Sequence, residues 1–149
     1  MTTELSIRAV YQGGMRVLAG DGIHEVVMDY PIGQGETTAG LTPLQMLLAS
    51  LAACSVNSVM AVLQRRLSQP VTGLEIEAHA VRKHEHPTVL TEIELEFLVH
   101  GAGVDPTAVS LALKMSEEQL CPVWNMLKAS TPIRASFRLI EEPVLAATQ

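Results

Sequence analysis

Much that would assign a chemistry at once is missing from this chain. It contains no Gly-x-Gly-x-x-Gly turn, no Walker-type phosphate loop and no Gly-x-Ser-x-Gly elbow. That removes the sequence signatures of dinucleotide binding, P-loop nucleotide hydrolysis and α/β-hydrolase catalysis. Positive charge is short: 10 Lys and Arg stand against 16 Asp and Glu, for a net charge of −6. An acidic chain carries no electrostatic footprint for nucleic acid or for an anionic membrane surface. His84 and His86 make half of a zinc site, but no third or fourth ligand follows at metal-binding spacing. A solvated turn is the simpler reading there, and neither metal nor cofactor is expected. The N-terminus has no basic stretch leading into an apolar one, so no secretory signal is visible and the chain reads as cytosolic. Cysteine is scarce as well: Cys54 and Cys121 are the only two. They lie too far apart for a Cys-x-x-Cys motif. In a reducing cytosol a transient catalytic disulfide is easier to sustain than a permanent one.

What is present is apolar residues: 48% of the 149 are hydrophobic and 17% charged. That length suits one domain, residues 1–149, with a real core. The apolar surplus is expected to be buried against a second copy, giving a homodimer. The stretch 44–63 is long enough to raise the question of a membrane span. It contains Gln45, Ser50, Ser55, Asn57 and Ser58, and no second such stretch exists, so it reads as a core helix.

Strands are expected over Glu4–Tyr11, Met15–Leu18 and Glu25–Tyr30, with turns at Gly13-Gly14 and Asp21-Gly22. Pro31 to Leu41 is a glycine-containing loop without apolar periodicity. Thr42-Pro43 opens a long helix, Thr as cap and Pro at the first helical position, running to about Leu67 and stopped near Pro70. Leu74–Val81 and Thr91–Val99 alternate with period two and form a long hairpin around the turn His84–Pro87, glutamates outward. Asp105-Pro106 repeats the capped start for a helix to about Gln119. A short helix follows from Cys121 or Pro122, then a strand over Thr131–Glu141, then a frayed tail after Pro143. The class is α+β, with the three leading and three trailing strands supplying sheet over one side of the long helix and a second subunit covering the other.

The two thiols occupy different contexts. On a helix, Cys54 shares its face with Ser50, Leu51, Asn57 and Ser58. Three of these four are polar, which points to a small wet pocket whose donors stabilise a thiolate. The plainer alternative is a buried cysteine with serines bonded back to helix carbonyls. Cys121 precedes Pro122 at a helix start, where the positive end of the helix lowers a thiol's pKa, while Glu117 and Glu118 push the other way. That balance suits a thiol that attacks an already oxidised sulfur; a structural cysteine at a helix junction is the alternative. If the sulfurs meet, a cycle follows without metal or flavin. A Cys54 thiolate cleaves a peroxide O–O bond, its sulfenic acid condenses with Cys121, and an external dithiol restores both. The first step also needs a cation. Candidates are Arg8, Arg16, Arg65, Arg82, Arg134 and Arg138, with Arg16, on a short hairpin, ranked first; for each, a solvated surface charge is the alternative.

These residues resemble the OsmC/Ohr family of osmotically inducible and organic hydroperoxide resistance proteins. The Pro-led helix Thr42-Pro43-Leu-Gln-Met-Leu-Leu-Ala-Ser-Leu-Ala-Ala-Cys54 matches one signature and Ser116-Glu-Glu-Gln-Leu-Cys121-Pro122 the other. His86-Pro87 in the hairpin and the strand end Val99-His-Gly101 also fit. The resemblance implies an OsmC-like α+β fold of two interlaced chains, with two sheets wrapped around long central helices. It further implies a peroxidatic Cys54 and a resolving Cys121 acting on organic hydroperoxides, with a lipoyl-type dithiol as reductant. Ohr members carry Glu directly after the helix-opening proline, where this chain has Leu44 followed by Gln45. Their Gly-Gly-Arg turn is here Gln12-Gly13-Gly14-Met15-Arg16, which shifts the arginine. The chain therefore resembles the OsmC-like branch more closely, and Glu36 is the candidate for the absent carboxylate.

The leading reading is a cytosolic homodimeric thiol peroxidase using Cys54, Cys121 and Arg16. A non-catalytic dimer holding a small apolar ligand is the alternative. A hot-dog-like thioesterase, which also wraps sheet around a long helix, is disfavoured because 44–63 supplies no carboxylate or histidine.

Overall fold

Tight turns shape the first strands of the computed structural model, which describes residues 1–142. The tail expected after Pro143 lies outside those residues. β1 (Arg8–Tyr11), β2 (Val17–Gly20) and β3 (Glu25–Met28) form an antiparallel meander in the order β1-β2-β3. Between β1 and β2, Gln12 N–H donates to Arg16 O at 2.9 Å and Arg16 N–H to Gly13 O at 3.0 Å. Gly13 and Gly14 take φ of 100° and 59° there, a region that favours glycine. Between β2 and β3, one Asp21 carboxylate oxygen accepts the N–H groups of Ile23 and His24 at 2.8 and 2.7 Å. This is the local side-chain turn that makes Asp a frequent turn residue. Strand pairing starts two residues later than the sequence pattern suggests for β2 and ends earlier for β3.

The segment after β3 is tied rather than free. Asp29 N–H donates to Leu41 O at 3.1 Å, and the Asp29 carboxylate accepts from Tyr30 N–H at 2.9 Å and Ala39 N–H at 3.0 Å. A Cβ on Gly40 would fall 2.0 Å from the Val27 carbonyl oxygen, so only glycine fits this close approach. The next helix, α1 (Pro43–Ala61), opens with a reciprocal cap. Thr42 Oγ1 accepts from Gln45 N–H at 3.2 Å and Gln45 Oε1 accepts from Thr42 N–H at 2.9 Å. The Thr-x-x-Gln spacing of this capping box was present in the sequence. Gln45 is thereby a capping residue.

By their internal contacts the residues divide into two compact units, Met1–Leu47 and Leu48 onward. In the second, α1 continues into a π-helical turn over Val62–Arg66. β4 (Val71–Arg82) and β5 (Leu90–Gly101) form the expected hairpin, longer at both ends than the alternating pattern. β6 (Ile133–Ile140) lies parallel to β5, with Ile93 opposite Ile133 and Val99 opposite Leu139. A parallel neighbour requires a long crossover. Here it holds α2 (Pro106–Met115), a π-helical turn over Ser116–Leu120, and α3 (Pro122–Leu127). Asp105 caps α2 by accepting from Thr107 N–H at 2.9 Å. The leading and trailing strands thus form two separate three-stranded sheets.

β5 is the central strand, and its alternate residues Ile93, Leu95, Phe97 and Val99 are all buried. They meet Leu51, Val59, Val62 and Leu63 of the α1 segment, Val109 and Ala112 of α2, and Trp124 of α3. Phe97 and Trp124 stack with ring centroids 6.5 Å apart. Each buried Val, Leu, Ile or Phe side chain among them contributes about 1.5–3 kcal/mol relative to exposure. The helical stretch Pro43–Arg66 is long and apolar enough to cross a membrane by length and composition. One face of it packs into this core, as the sequence reading expects of a core helix.

Candidate functional site

The core-facing stripe of α1 carries one polar residue. Leu51, Ser55 and Val59 follow at four-residue spacing and all are buried. Cys54, one position earlier, is half-buried and packs against the edge of the core. The polar stripe expected around it is therefore divided. Ser50 and Asn57 face outward. Ser58 bonds back to the helix, its hydroxyl lying 3.1 Å from Cys54 O and 3.2 Å from Ser55 O.

Cys121 arrives from the other side, at the end of the π-helical turn. Its N–H donates to Ser116 O at 2.9 Å, and it caps α3 by accepting Trp124 N–H at its sulfur, 3.4 Å away. Pro122 stands at the first helical position, as the sequence implied. Two contacts fasten this segment to α1. Ser55 Oγ lies 3.7 Å from Cys121 Sγ, and Ser58 Oγ lies 2.6 Å from Ser116 Oγ. Ser55, Ser116 and Cys121 are all fully buried.

Cys54 lies near enough to Cys121 to act on the ionisation of its thiol, so the fold brings the two sequence-distant cysteines into one neighbourhood. Burial pushes the Cys121 thiol above its ordinary pKa, and Cys54 beside it adds to the rise. The Trp124 N–H and the Ser55 hydroxyl pull the other way. The sequence reading set the helix end against Glu117 and Glu118; desolvation, which that weighing omitted, is the largest influence.

Arg16 belongs to the first compact unit. Its Nε lies 3.5 Å from Asp29 Oδ2, with half of the arginine side chain exposed and the carboxylate nearly buried. Ala39 N–H holds the Asp29 carboxyl below the usual carboxylate range, helped by Tyr30 N–H and Arg16 against the cost of burial. Arg16, Asp29 and Glu36 line one cavity of about 300 Å³ with Tyr30 and Ile32, but Arg16 pairs with Asp29 and not with Glu36. The other arginines divide. Arg134 pairs with Glu92 and Glu94, and Arg138 with Glu96, all on the sheet surface. Arg65 and Arg66 are exposed at the end of the α1 segment, and Arg82 is exposed at the end of β4. Among the described residues no group of three His, Cys, Asp or Glu side chains is arranged to hold a metal ion.

Three residues of this chemistry escaped the sequence reading: Ser55, Ser116 and Asp29. Ser55 had a visible signal, a hydroxyl on an otherwise apolar four-residue repeat. Ser116 stood in the Ser-x-x-x-x-Cys-Pro motif without a role. Asp29 lay in an expected strand and gave no signal.

The fold defines a class, and the sequence comparisons agree with it. The family model for OsmC-like protein matches residues 33–136. The chain belongs to the OsmC-like family. Protein YhfA of Escherichia coli K12 is 30% identical over 117 residues, covering 78% of this chain and 84% of that one. A crystal structure of a hypothetical protein from Aquifex aeolicus VF5 superimposes with a TM-score of 0.83 at 25% identity, over 95% of this chain and 100% of that one. The organic hydroperoxide resistance protein OhrB of Bacillus subtilis gives a TM-score of 0.65 at 17% identity, over 90% of this chain and 98% of that one. The last likeness is one of fold.

Proposed function

We propose that this chain is a cytosolic, thiol-dependent peroxidase that reduces organic hydroperoxides, acting as a homodimer of single OsmC-like domains. The observation that carries the reading is the unequal access of the two thiols: Cys54 is half-buried, whereas Cys121 is fully buried and its pKa is pushed up. A hydroperoxide meets Cys54 first. The Cys54 thiolate attacks the distal peroxide oxygen, the O–O bond breaks, and the alkoxide leaves and takes a proton as alcohol. The resulting sulfenic acid condenses with the Cys121 thiol, giving a disulfide and water. A lipoyl-type dithiol then reduces that disulfide by exchange. Arg16, anchored by Asp29, is the proposed cation of the first step, with Asp29 rather than Glu36 as its carboxylate. Outward-facing apolar residues, among them Leu47 on α1 and Ile7, Tyr11 and Ile23 on the first unit, support a second copy as their cover.

The test is hydroperoxide consumption by the purified protein with dihydrolipoamide and cumene hydroperoxide. Cys54→Ser is expected to abolish turnover, and Cys121→Ser to stop after one oxidation with sulfenic acid trapped by dimedone. Absence of consumption with any dithiol, or full activity in Cys54→Ser, would end the proposal.

A further inference from the structure

Ser55 occupies a place that alanine would fill without disturbing the apolar stripe Leu51, Val59, Val62 and Leu63. A hydroxyl withdrawn from water at such a place costs free energy unless it is bonded. The partner of Ser55 Oγ is the Cys121 sulfur, at 3.7 Å. The Trp124 backbone N–H reaches the same sulfur at 3.4 Å. A backbone N–H and a hydroxyl able to donate therefore converge on one buried sulfur from two different helices.

We propose that Ser55 is a catalytic residue of the resolving step, its hydroxyl forming with the Trp124 N–H a two-donor cradle for the negative charge that develops on Cys121 Sγ. The proposal rests on the peroxidase reading above. In the condensation the Cys121 S–H bond breaks, an S–S bond forms with the electron pair of Cys121, and the S–O bond of the Cys54 sulfenic acid breaks. The departing oxygen takes the Cys121 proton and leaves as water, so Cys54 is reduced and Cys121 oxidised. A thiol attacks through its thiolate character. Burial, the feature that protects Cys121 from peroxide, also suppresses that character. Donors fixed in a dry site before the reaction offset it where the charge appears. The cradle is held in register by Ser116, whose carbonyl accepts Cys121 N–H at 2.9 Å and whose hydroxyl meets Ser58 Oγ at 2.6 Å. Ser58 in turn lies against the carbonyls of Cys54 and Ser55. Ser116 and Ser58 are positioning residues.

Two measurements on Ser55→Ala and Ser55→Thr decide the matter. In a Cys54→Ser background Cys121 is the one remaining thiol, and the pH profile of its ultraviolet thiolate absorbance reports its ionisation. Ser55→Ala is expected to move the midpoint upward by about one unit or more, and Ser55→Thr to restore it. In chains with both cysteines, rapid-quench experiments with cumene hydroperoxide follow sulfenic acid as it forms and disappears. Ser55→Ala is expected to slow its disappearance about tenfold to a hundredfold, the loss of one hydrogen bond to a charged group, and to slow it far more than it slows formation. An unshifted midpoint together with disulfide formation at the original rate overturns the role of Ser55. Failure of peroxide to oxidise Cys54 at all overturns the peroxidase reading itself, and the Ser55 proposal with it.

Discussion

The two compact units are held together by different means. In the second, β5 lines up Ile93, Leu95, Phe97 and Val99 against helix residues, and a buried apolar cluster of fifteen side chains results. In the first, among the described residues, Ala19 is the one buried apolar side chain, while Leu5, Ile7, Tyr11, Ile23 and Ile32 are exposed. Its organisation comes from hydrogen bonds: the Asp21 turn, the Asp29 pin and the Thr42–Gln45 capping box. A unit with a core tolerates the loss of a surface polar contact. A unit made of turns depends on its polar pins, because no packed interior restores the geometry once a pin is gone.

The largest effect is expected where the core is densest. Phe97→Ala removes a fully buried ring that stacks on Trp124, and is expected to cost about 3–5 kcal/mol, read from urea unfolding followed by circular dichroism. A loss below about 1 kcal/mol would mean that the second unit does not rely on its core as described.

The pin of the first unit makes the complementary test. Asp29→Asn keeps the shape and one acceptor for Ala39 or Tyr30 but removes the charge that faces Arg16. The expected outcome is faster proteolysis and amide exchange across 30–41, with a smaller shift of the main unfolding transition than Phe97→Ala. The pH dependence has a definite sign. The Asp29 carboxyl is held low chiefly by Ala39 N–H, so its contribution is present above the unfolded carboxylate value of about 3.9 and is lost as pH falls through the lower folded value. Protection at 30–41 should thus fail on acidification in the parent chain and be weak at all pH values in Asp29→Asn. Equal protection in both would remove Asp29 as the pin.

The same division explains what was legible in the sequence. Period-two alternation in 91–99 gave β5 because one face of that strand is buried, and buried faces write themselves into the pattern. Cap-plus-proline starts gave α1, α2 and the short helix after Cys121, because caps are local chemistry. The parallel placement of β6 beside β5 was not legible, since no local feature of 133–140 distinguishes a parallel partner from an antiparallel one. At the site, both cysteines could be read from their helical contexts, but Ser55 could not be assigned to Cys121. Helical spacing reports which residues share a face of one helix, and Cys121 comes from another. Desolvation of Cys121 was likewise invisible, because burial is a property of the assembled core and Glu117 and Glu118 are merely its neighbours in sequence.

The smallest effect is expected from a polar cluster on the unit that has a core. His100, at the end of β5, places Nε2 2.8 Å from Glu75 and Nδ1 3.1 Å from Glu142, which also accepts from the Thr72 hydroxyl at 2.7 Å. Glu75, and after it Glu142, raise the His100 pKa above its ordinary value against a desolvation cost. Stability from a raised histidine is fully present below the unfolded value of about 6.5 and fades as pH rises through the higher folded value. The parent chain should therefore lose a little thermal stability between slightly acid and alkaline pH relative to His100→Gln, whose melting temperature lacks that component. The cluster is solvent-accessible, where such pairs contribute little, so the difference is expected to be at most a few degrees and to shrink in high salt. A large, salt-insensitive difference would place a polar pin in the second unit too, and the contrast between the units would fail.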